Sequence, residues 1–243
     1  MHLDTYDISF CIRRLPKKLK TLMMEHGEQI IIAGCFIRSV ITGEPISDID
    51  IFAGDKEASE KLAIELINNK KELYKTDNAI TIRTFKIPIQ FIHRWVYDNP
   101  IDVILSFDFS ICQAAIWYNK DKNKWSSQCA DSFYSDLAAK RLVYLSPIRN
   151  EDAGGSLLRV LKYYQRGYRI PLDSFGAVLA RLLSTVSSDT WAGEKDLATI
   201  ITGLLIEVDP AGFVDHEAYL PAKNNEDGRD EGYNERDMEV KDD

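Results

Sequence analysis

The chain of 243 residues has little of what builds a disulfide or zinc framework. Its four cysteines, Cys11, Cys35, Cys112 and Cys129, form no CxxC pair, and its four histidines, His2, His26, His93 and His216, stand apart. Scaffolds that depend on paired cysteines or clustered ligands are therefore not expected. No apolar run reaches the roughly 18 residues of a membrane span. Met1 to Phe10 also lacks the charged-then-apolar order of a secretory signal. A cytoplasmic protein without a membrane partner is expected. Positive charge is not in excess either: 30 Lys and Arg face 38 Asp and Glu, a net charge of -8, which excludes a uniformly basic coat for long nucleic acid. The acid is concentrated from Asn224 to Asp243, where nine acids meet three bases, so the rest is nearly neutral and has room for local basic faces.

What the chain does have is 45% apolar residues, ample for a packed core. Leu15, Leu19, Leu22 and Met23 recur at helical spacing over Ile12 to His26, ringed by Arg13, Arg14, Lys17, Lys18 and Lys20, and predict one amphipathic helix. A strand at Gln29 to Ala33, a helix from Gly34 to Thr42 and a second strand at Asp48 to Phe52 follow. Lys56 to Asn69 reads as a helix. Ile80 to Phe85 and Ile87 to Trp95 read as one bent strand or a hairpin, Pro100 to Leu105 as a helical turn, and Phe107 to Tyr118 as one long strand. Beyond the polar, lysine-rich Asn119 to Ser127, only helices are expected: Ser132 to Lys140, Gly155 to Tyr168, Leu172 to Ser184 and Glu194 to Ile206. Strands followed by helices predict an α+β chain, with a mixed-sheet head over 1–125, a helical cap over 126–222 and a disordered acidic tail over 223–243.

The informative stretch is Ile31 to Phe52, IIAGCFIRSVITGEPISDIDIF. Asp48 and Asp50, two apart on a strand, leave the same face and can share a divalent metal. Gly34, at the end of a strand, opens a helix whose free N–H groups suit a phosphate. Metal carboxylates and a phosphate cradle thus lie side by side. Arg159, Lys162, Arg166 and Arg169, spaced by three, four and three, share a helix face that is either solvated or turned to a triphosphate or an RNA strand.

These residues resemble a known family. Gly34-Cys35-Phe36-Ile37-Arg38-Ser39-Val40-Ile41-Thr42-Gly43 is similar to the GGxVRDxLLG signature of the poly(A) polymerase and CCA-adding branch of the DNA polymerase β-like nucleotidyltransferases, with Asp48-Ile49-Asp50 where that branch has its DxD. Asp108-Phe109-Ser110-Ile111, continuing to Ala114 and Ala115, resembles its RRDFTxNA motif with one inserted residue. Leu157 to Lys162, ending in Gly167-Tyr168, looks like the EDxLRxxRxxRFxxxLGF helix. The departures are Cys35 for the second glycine, Ser39 for the aspartate after the arginine, Ser106 and Phe107 for two arginines, and Gly155 and Ser156 for the Glu-Asp pair of base reading.

The resemblance implies a nucleotidyltransferase head with a helical cap. It would bind an NTP with two Mg²⁺ ions, Mn²⁺ as a substitute, and transfer NMP to a hydroxyl with release of pyrophosphate. Asp48 and Asp50 would hold metal, with Asp108 as third carboxylate; Asp102, between apolar residues in Pro100-Ile101-Asp102-Val103-Ile104, is the other candidate. Gly34 and Cys35 would form the phosphate turn, and Arg38, Ser47, Arg159 and Lys162 would contact the nucleotide. The implied acceptor is an RNA 3′ end. A protein or small-molecule acceptor, or a pseudoenzyme that binds nucleotide or RNA without chemistry, are the alternatives.

Overall fold

Pro16 divides the N-terminal helix expected over Ile12 to His26 into two. α1 (Thr5–Arg14) ends where Leu15 turns extended, at φ -73° and ψ 142°, the conformation that a following proline enforces; α2 (Lys17–His26) starts afresh after it. The computed structural model describes residues 1–68, 72–145, 153–184 and 197–208, and the acidic tail expected over 223–243 lies outside them. The strand–helix–strand unit follows as β1 (Ile31–Ala33), α3 (Cys35–Thr42) and β2 (Ile49–Phe52). Gly43 closes α3 in the left-handed region at φ 71°, the usual glycine stop. α4 (Lys56–Ile67) is capped by Asp55, whose side chain accepts from the Ala58 amide at 2.9 Å.

β3 (Leu73–Lys75), β4 (Ala79–Ile82) and β5 (Ile89–Ile92) come next. Ile82 pairs with Ile89 in an antiparallel ladder, so the two runs read as a bent strand or a hairpin are a hairpin. α5 (Pro100–Leu105) is the expected helical turn. The single long strand expected from Phe107 to Tyr118 is broken: Phe109 makes one bridge to Tyr144, Ser110–Cys112 is a 3₁₀ turn, and only β6 (Ala114–Asn119) joins the sheet.

β7 (Lys124–Cys129) pairs antiparallel with β6, inside the polar stretch where the head was expected to end at 125. An antiparallel strand with one face on the core alternates buried and exposed residues. Ser127 and Cys129 are buried here while Lys124 is exposed, which leaves a polar sequence that hides the strand.

The seven strands form one mixed sheet in the order β3-β4-β5-β2-β1-β6-β7. Among the described residues only the strands β2 and β5 run parallel. Ile32, Ile49, Ile51, Ile80, Ile82, Ile89 and Phe91 face the main core with Leu19, Phe36 and Leu62 of the first four helices. Ile31, Ala33, Phe52 and Ala115 face the other way, against Val103 and Ile104 of α5. α6 (Phe133–Ala138), α7 (Ala153–Gln165), α8 (Leu172–Ser184) and α9 (Leu197–Val208) complete the described chain. Val160, Tyr163 and Tyr168 of the α7 region belong to the main core, so α7 packs into the same core as the sheet. This is an α+β architecture. No described helix is long and apolar enough to cross a membrane.

Candidate functional site

Strand alternation puts Asp50 on the α5 side of the sheet, since Ile49 and Ile51 point into the main core and Phe52 away from it. Asp48 lies just before β2, and both carboxylates are half-buried. Ser47 is exposed and donates its hydroxyl to Asp48 Oδ1 at 2.9 Å; it orients a carboxylate. Burial holds Asp50 well above the usual carboxylate range, Asp48 and Cys35 add to the rise, and Lys162 opposes it. Burial also raises Asp48, against the Ser47 hydrogen bond and the charges of Lys162 and Arg166. Two acids that resist ionising side by side are relieved by a cation between them.

α3 begins beside this pair. Gly34, at φ 83° and ψ -140°, has no side-chain cap hydrogen bond to offer, so the amides of the first turn lack side-chain capping there. The Gly34 amide itself is taken by the Ala114 carbonyl at 3.0 Å. A Cβ at Gly34 would meet the Phe107 ring at 2.8 Å. The glycine is thus required by its positive φ and by Phe107, one of the two residues standing where the resembled motif has arginines.

Cys35 opens α3 and meets residues remote in sequence. Its Sγ lies 3.7 Å from Cys112 Sγ and 3.0 Å from the Tyr163 hydroxyl, which is also 3.0 Å from Cys112 Sγ. The hydrogen bond with Cys112 lowers the Cys35 thiol well below its usual value, outweighing burial, with Arg38, Tyr163 and Lys162 assisting. Arg38 is turned into the core rather than to solvent. It is 1% exposed, donates to Ser39 Oγ at 3.0 Å, reaches Glu44 at 3.5 Å and stacks on the Tyr163 ring at 4.8 Å. Glu44, which sequence reasoning did not single out, supplies the negative charge missing at Ser39, and it accepts from the Tyr168 hydroxyl at 3.0 Å. Arg38 is placed to hold Cys35 and the Tyr163 ring of α7.

This cluster predicts selective alkylation. Iodoacetamide at pH 7 should modify Cys35 ahead of Cys11 and Cys129, whose thiols burial pushes to about 12 and about 11. Because this thiol is lowered, its rate should climb less steeply from pH 7 to 9 than that of an ordinary thiol. Peptide mapping that finds Cys129 first, or a Cys35 rate climbing tenfold per pH unit, would contradict this.

Neither candidate for the third carboxylate completes a metal set. Asp108 sits in a bend rather than at the start of a strand. It is buried, and its Oδ2 accepts from Ser156 at 2.8 Å and pairs closely with Arg159. Its charge therefore pins α7 to the head. Asp102 is exposed in the first turn of α5, where its Oδ2 accepts from Asn99 Nδ2 at 2.7 Å while Asn99 caps the helix. The neighbour that shares the sheet face with Asp50 is Gln90, its register partner on the parallel strand β5. The two-residue period of β2 and β5 carried that signal, but their pairing is not written in the sequence.

Mg²⁺ held by one or two carboxylates plus substrate phosphates is a common nucleotide arrangement, and Asp48 with Asp50 fits it. Among the described residues no three Asp, Glu, His or Cys side chains come together to hold one metal ion, so the second expected ion has no carboxylate set.

The cap stripe divides by partner. Lys162 is half-buried and acts electrostatically on Asp48, Asp50 and Cys35. Arg159 pairs with Asp108, Arg166 reaches Glu44 at 3.8 Å, and Arg169 stacks on Tyr164 at 4.8 Å and donates to the Tyr168 carbonyl at 3.1 Å. Three of the four cations thus hold the structure together, and the stripe is not a free row for phosphates.

Comparison with solved structures gives the fold. The CCA-adding enzyme of Thermotoga maritima complexed with tRNA matches at a TM-score of 0.56 and 17% identity, over 88% of this chain and 56% of that one. A CCA-adding enzyme with CTP matches at 0.57 and 17%, over 86% and 50%, and a tRNA-processing enzyme with CTP at 0.52 and 16%, over 67% and 45%. The chain spans about half the length of these proteins, and at such identity the likeness is one of fold, the polymerase β-like nucleotidyltransferase fold. No curated protein matches. The family description that matches, over residues 7–140, is "Gabija anti-defense 2 family protein". That span covers more than half of the chain, including the acid pair, α3 and the whole sheet, and the chain belongs to the Gabija anti-defense 2 family.

Proposed function

We propose that this chain counteracts the Gabija defence as a nucleotidyltransferase: it binds an NTP with Mg²⁺ or Mn²⁺ and transfers NMP to a hydroxyl of a protein of that system. The observation that carries the reading is the half-buried pair Asp48 and Asp50 beside Cys35 at the start of α3, with Lys162 brought to it by α7. The acid pair would hold the cation, which neutralises triphosphate charge when bound. The first-turn amides of α3 and the Lys162 ammonium would take phosphate oxygens. Ser47 fixes the orientation of Asp48, and Arg38 holds the underlying Cys35–Tyr163 cluster in place. In the transfer the acceptor oxygen bonds to the α-phosphorus, the bond to the bridging oxygen breaks, pyrophosphate leaves and the acceptor proton passes to solvent.

A protein acceptor is preferred because the cations expected to carry RNA are engaged at Asp108, Glu44 and Tyr164, and because Gly155 and Ser156 replace the acids of base reading. The RNA 3′ end is the second reading, favoured by the likeness to CCA-adding enzymes. The test is incubation with each α-³²P-labelled NTP and Mg²⁺, in parallel with the proteins of the Gabija system and with total RNA. Label in a Gabija protein supports the proposal and label in RNA supports the second reading. Nucleotide binding without any transfer, in the presence of both acceptors, would leave a pseudoenzyme. Lys162→Ala should weaken NTP binding about tenfold, the effect of one lost charge-assisted contact; unchanged affinity in a calorimetric titration would remove Lys162 from the site.

A further inference from the structure

We infer that Gln90 limits the nucleotide site to a single divalent cation, so that this chain departs from two-ion chemistry at one residue. The inference rests on the nucleotide reading above. Among the described residues β2 and β5 are the sheet's only parallel pair, and their register sets Asp50 beside Gln90. Neighbouring strands lie about 4.8 Å apart, so residues in register on one face are lateral neighbours. They share that face: Ile89 and Phe91 enter the main core with Ile49 and Ile51, while Ile92 lies with Phe52 on the α5 side. The row continues to Thr81, the partner of Gln90 on β4. Across three strands it reads Asp50, Gln90, Thr81, one carboxylate followed by a neutral amide and a hydroxyl.

Charge decides how many ions this row can hold. Asp48 and Asp50 together balance one divalent ion, and a triphosphate helps to bind it. A second ion between Asp50 and the acceptor would need another anionic oxygen close to Asp50. Gln90 stands where that oxygen would come from and offers a carboxamide, which has no charge and turns either a weak carbonyl ligand or an N–H donor toward a cation. Asp108 cannot replace it, because Arg159 and Ser156 hold its carboxylate, and Asp102 is bound to Asn99 at the surface. The acceptor hydroxyl must then be activated without a second ion, which suits an acceptor whose oxygen is already nucleophilic or is deprotonated by a group of its own protein.

Restoring a carboxylate should restore the second ion. Manganese bound per chain is counted by electron paramagnetic resonance, with an NTP analogue carrying a non-hydrolysable α–β bridge; analogue binding is measured separately by calorimetry. Wild type should bind one Mn²⁺, Gln90→Glu two, and Gln90→Ala one. Thermal melting establishes that each variant is folded; should Gln90→Glu not fold, the shorter Gln90→Asp takes its place, and the wild-type count stands by itself. Two ions in wild type, or one ion in a folded Gln90→Glu that binds the analogue, would overturn the inference and leave the nucleotide reading intact. No Mn²⁺ with the analogue still bound would overturn it likewise. Neither Mn²⁺ nor analogue bound would overturn both.

Discussion

Asp50→Asn is expected to abolish nucleotidyl transfer and at the same time raise the melting temperature. The carboxylate sits half-buried next to Asp48 and the Cys35 thiol, and its pKa is held well above the ordinary value, first by burial and then by those two neighbours. An acid whose folded-state pKa exceeds its unfolded value binds more protons folded than unfolded, so it costs stability as the pH rises from the ordinary aspartate value through the raised one. The penalty is fully present above the folded-state pKa and absent below the unfolded one. Replacing Asp50 with neutral, isosteric asparagine should remove that penalty and raise the melting temperature at neutral pH. Transfer should fall about a hundred- to a thousandfold, as when a charge-stabilising group is removed from a site. A variant that retains wild-type turnover would remove Asp50 from the chemistry. A variant that melts lower would mean that the carboxylate is stabilised in the fold. The pH dependence separates these outcomes from general damage: the wild-type melting temperature should gain on acidification toward the ordinary aspartate value more than that of the variant does.

The part of the molecule written in local signals was legible in the sequence. Gly34 and Gly43 bracket α3 at the residues where the chain needs positive φ, and the alternation of Asp48, Ile49, Asp50 and Ile51 marks β2. The misses have particular causes. Leu15 to Met23 keeps helical spacing across Pro16, so periodicity alone joined two helices. β7 is half polar because it buries one face, at Ser127 and Cys129. The expected third carboxylate followed a motif match at Asp108, whereas its burial comes from Ser156 and Arg159, some fifty residues later in the chain. The sequence places Cys35 in the phosphate turn and shows no link from it to Cys112 or Tyr163, because only tertiary packing brings their polar atoms within 3.0 to 3.7 Å. Gln90 was hidden for the same reason, since pairing between parallel strands is set by packing.

Arg159→Ala is expected to act on stability rather than on nucleotide affinity. Its guanidinium pairs with Asp108, which is 5% exposed and whose carboxylate, among the described residues, otherwise accepts from Ser156 on the same helix. Removing one partner leaves a buried carboxylate without its counter-charge, a loss of roughly 3–5 kcal/mol when both groups are fully buried. Arg159 is 39% exposed, so water takes over part of its role and about 2 kcal/mol is the expected loss, near 4–8 °C in melting temperature. Asp108→Asn should cost less, since the amide keeps a hydrogen bond to Ser156 and leaves no buried charge. In the double variant the two effects should be less than additive, because the Arg159 deletion then strands nothing. That non-additivity, about 1 kcal/mol in a double-mutant cycle, is the signature of the pair. The affinity for NTP should stay within twofold, because the nucleotide contact on α7 is assigned to Lys162, one turn along and directed at the acid pair. A tenfold rise in the NTP dissociation constant with an unchanged melting temperature would mean that Arg159 leaves Asp108 to bind the triphosphate, and that the head–cap seam is held by the remaining contacts, chiefly Glu44 with Tyr168 and Arg166.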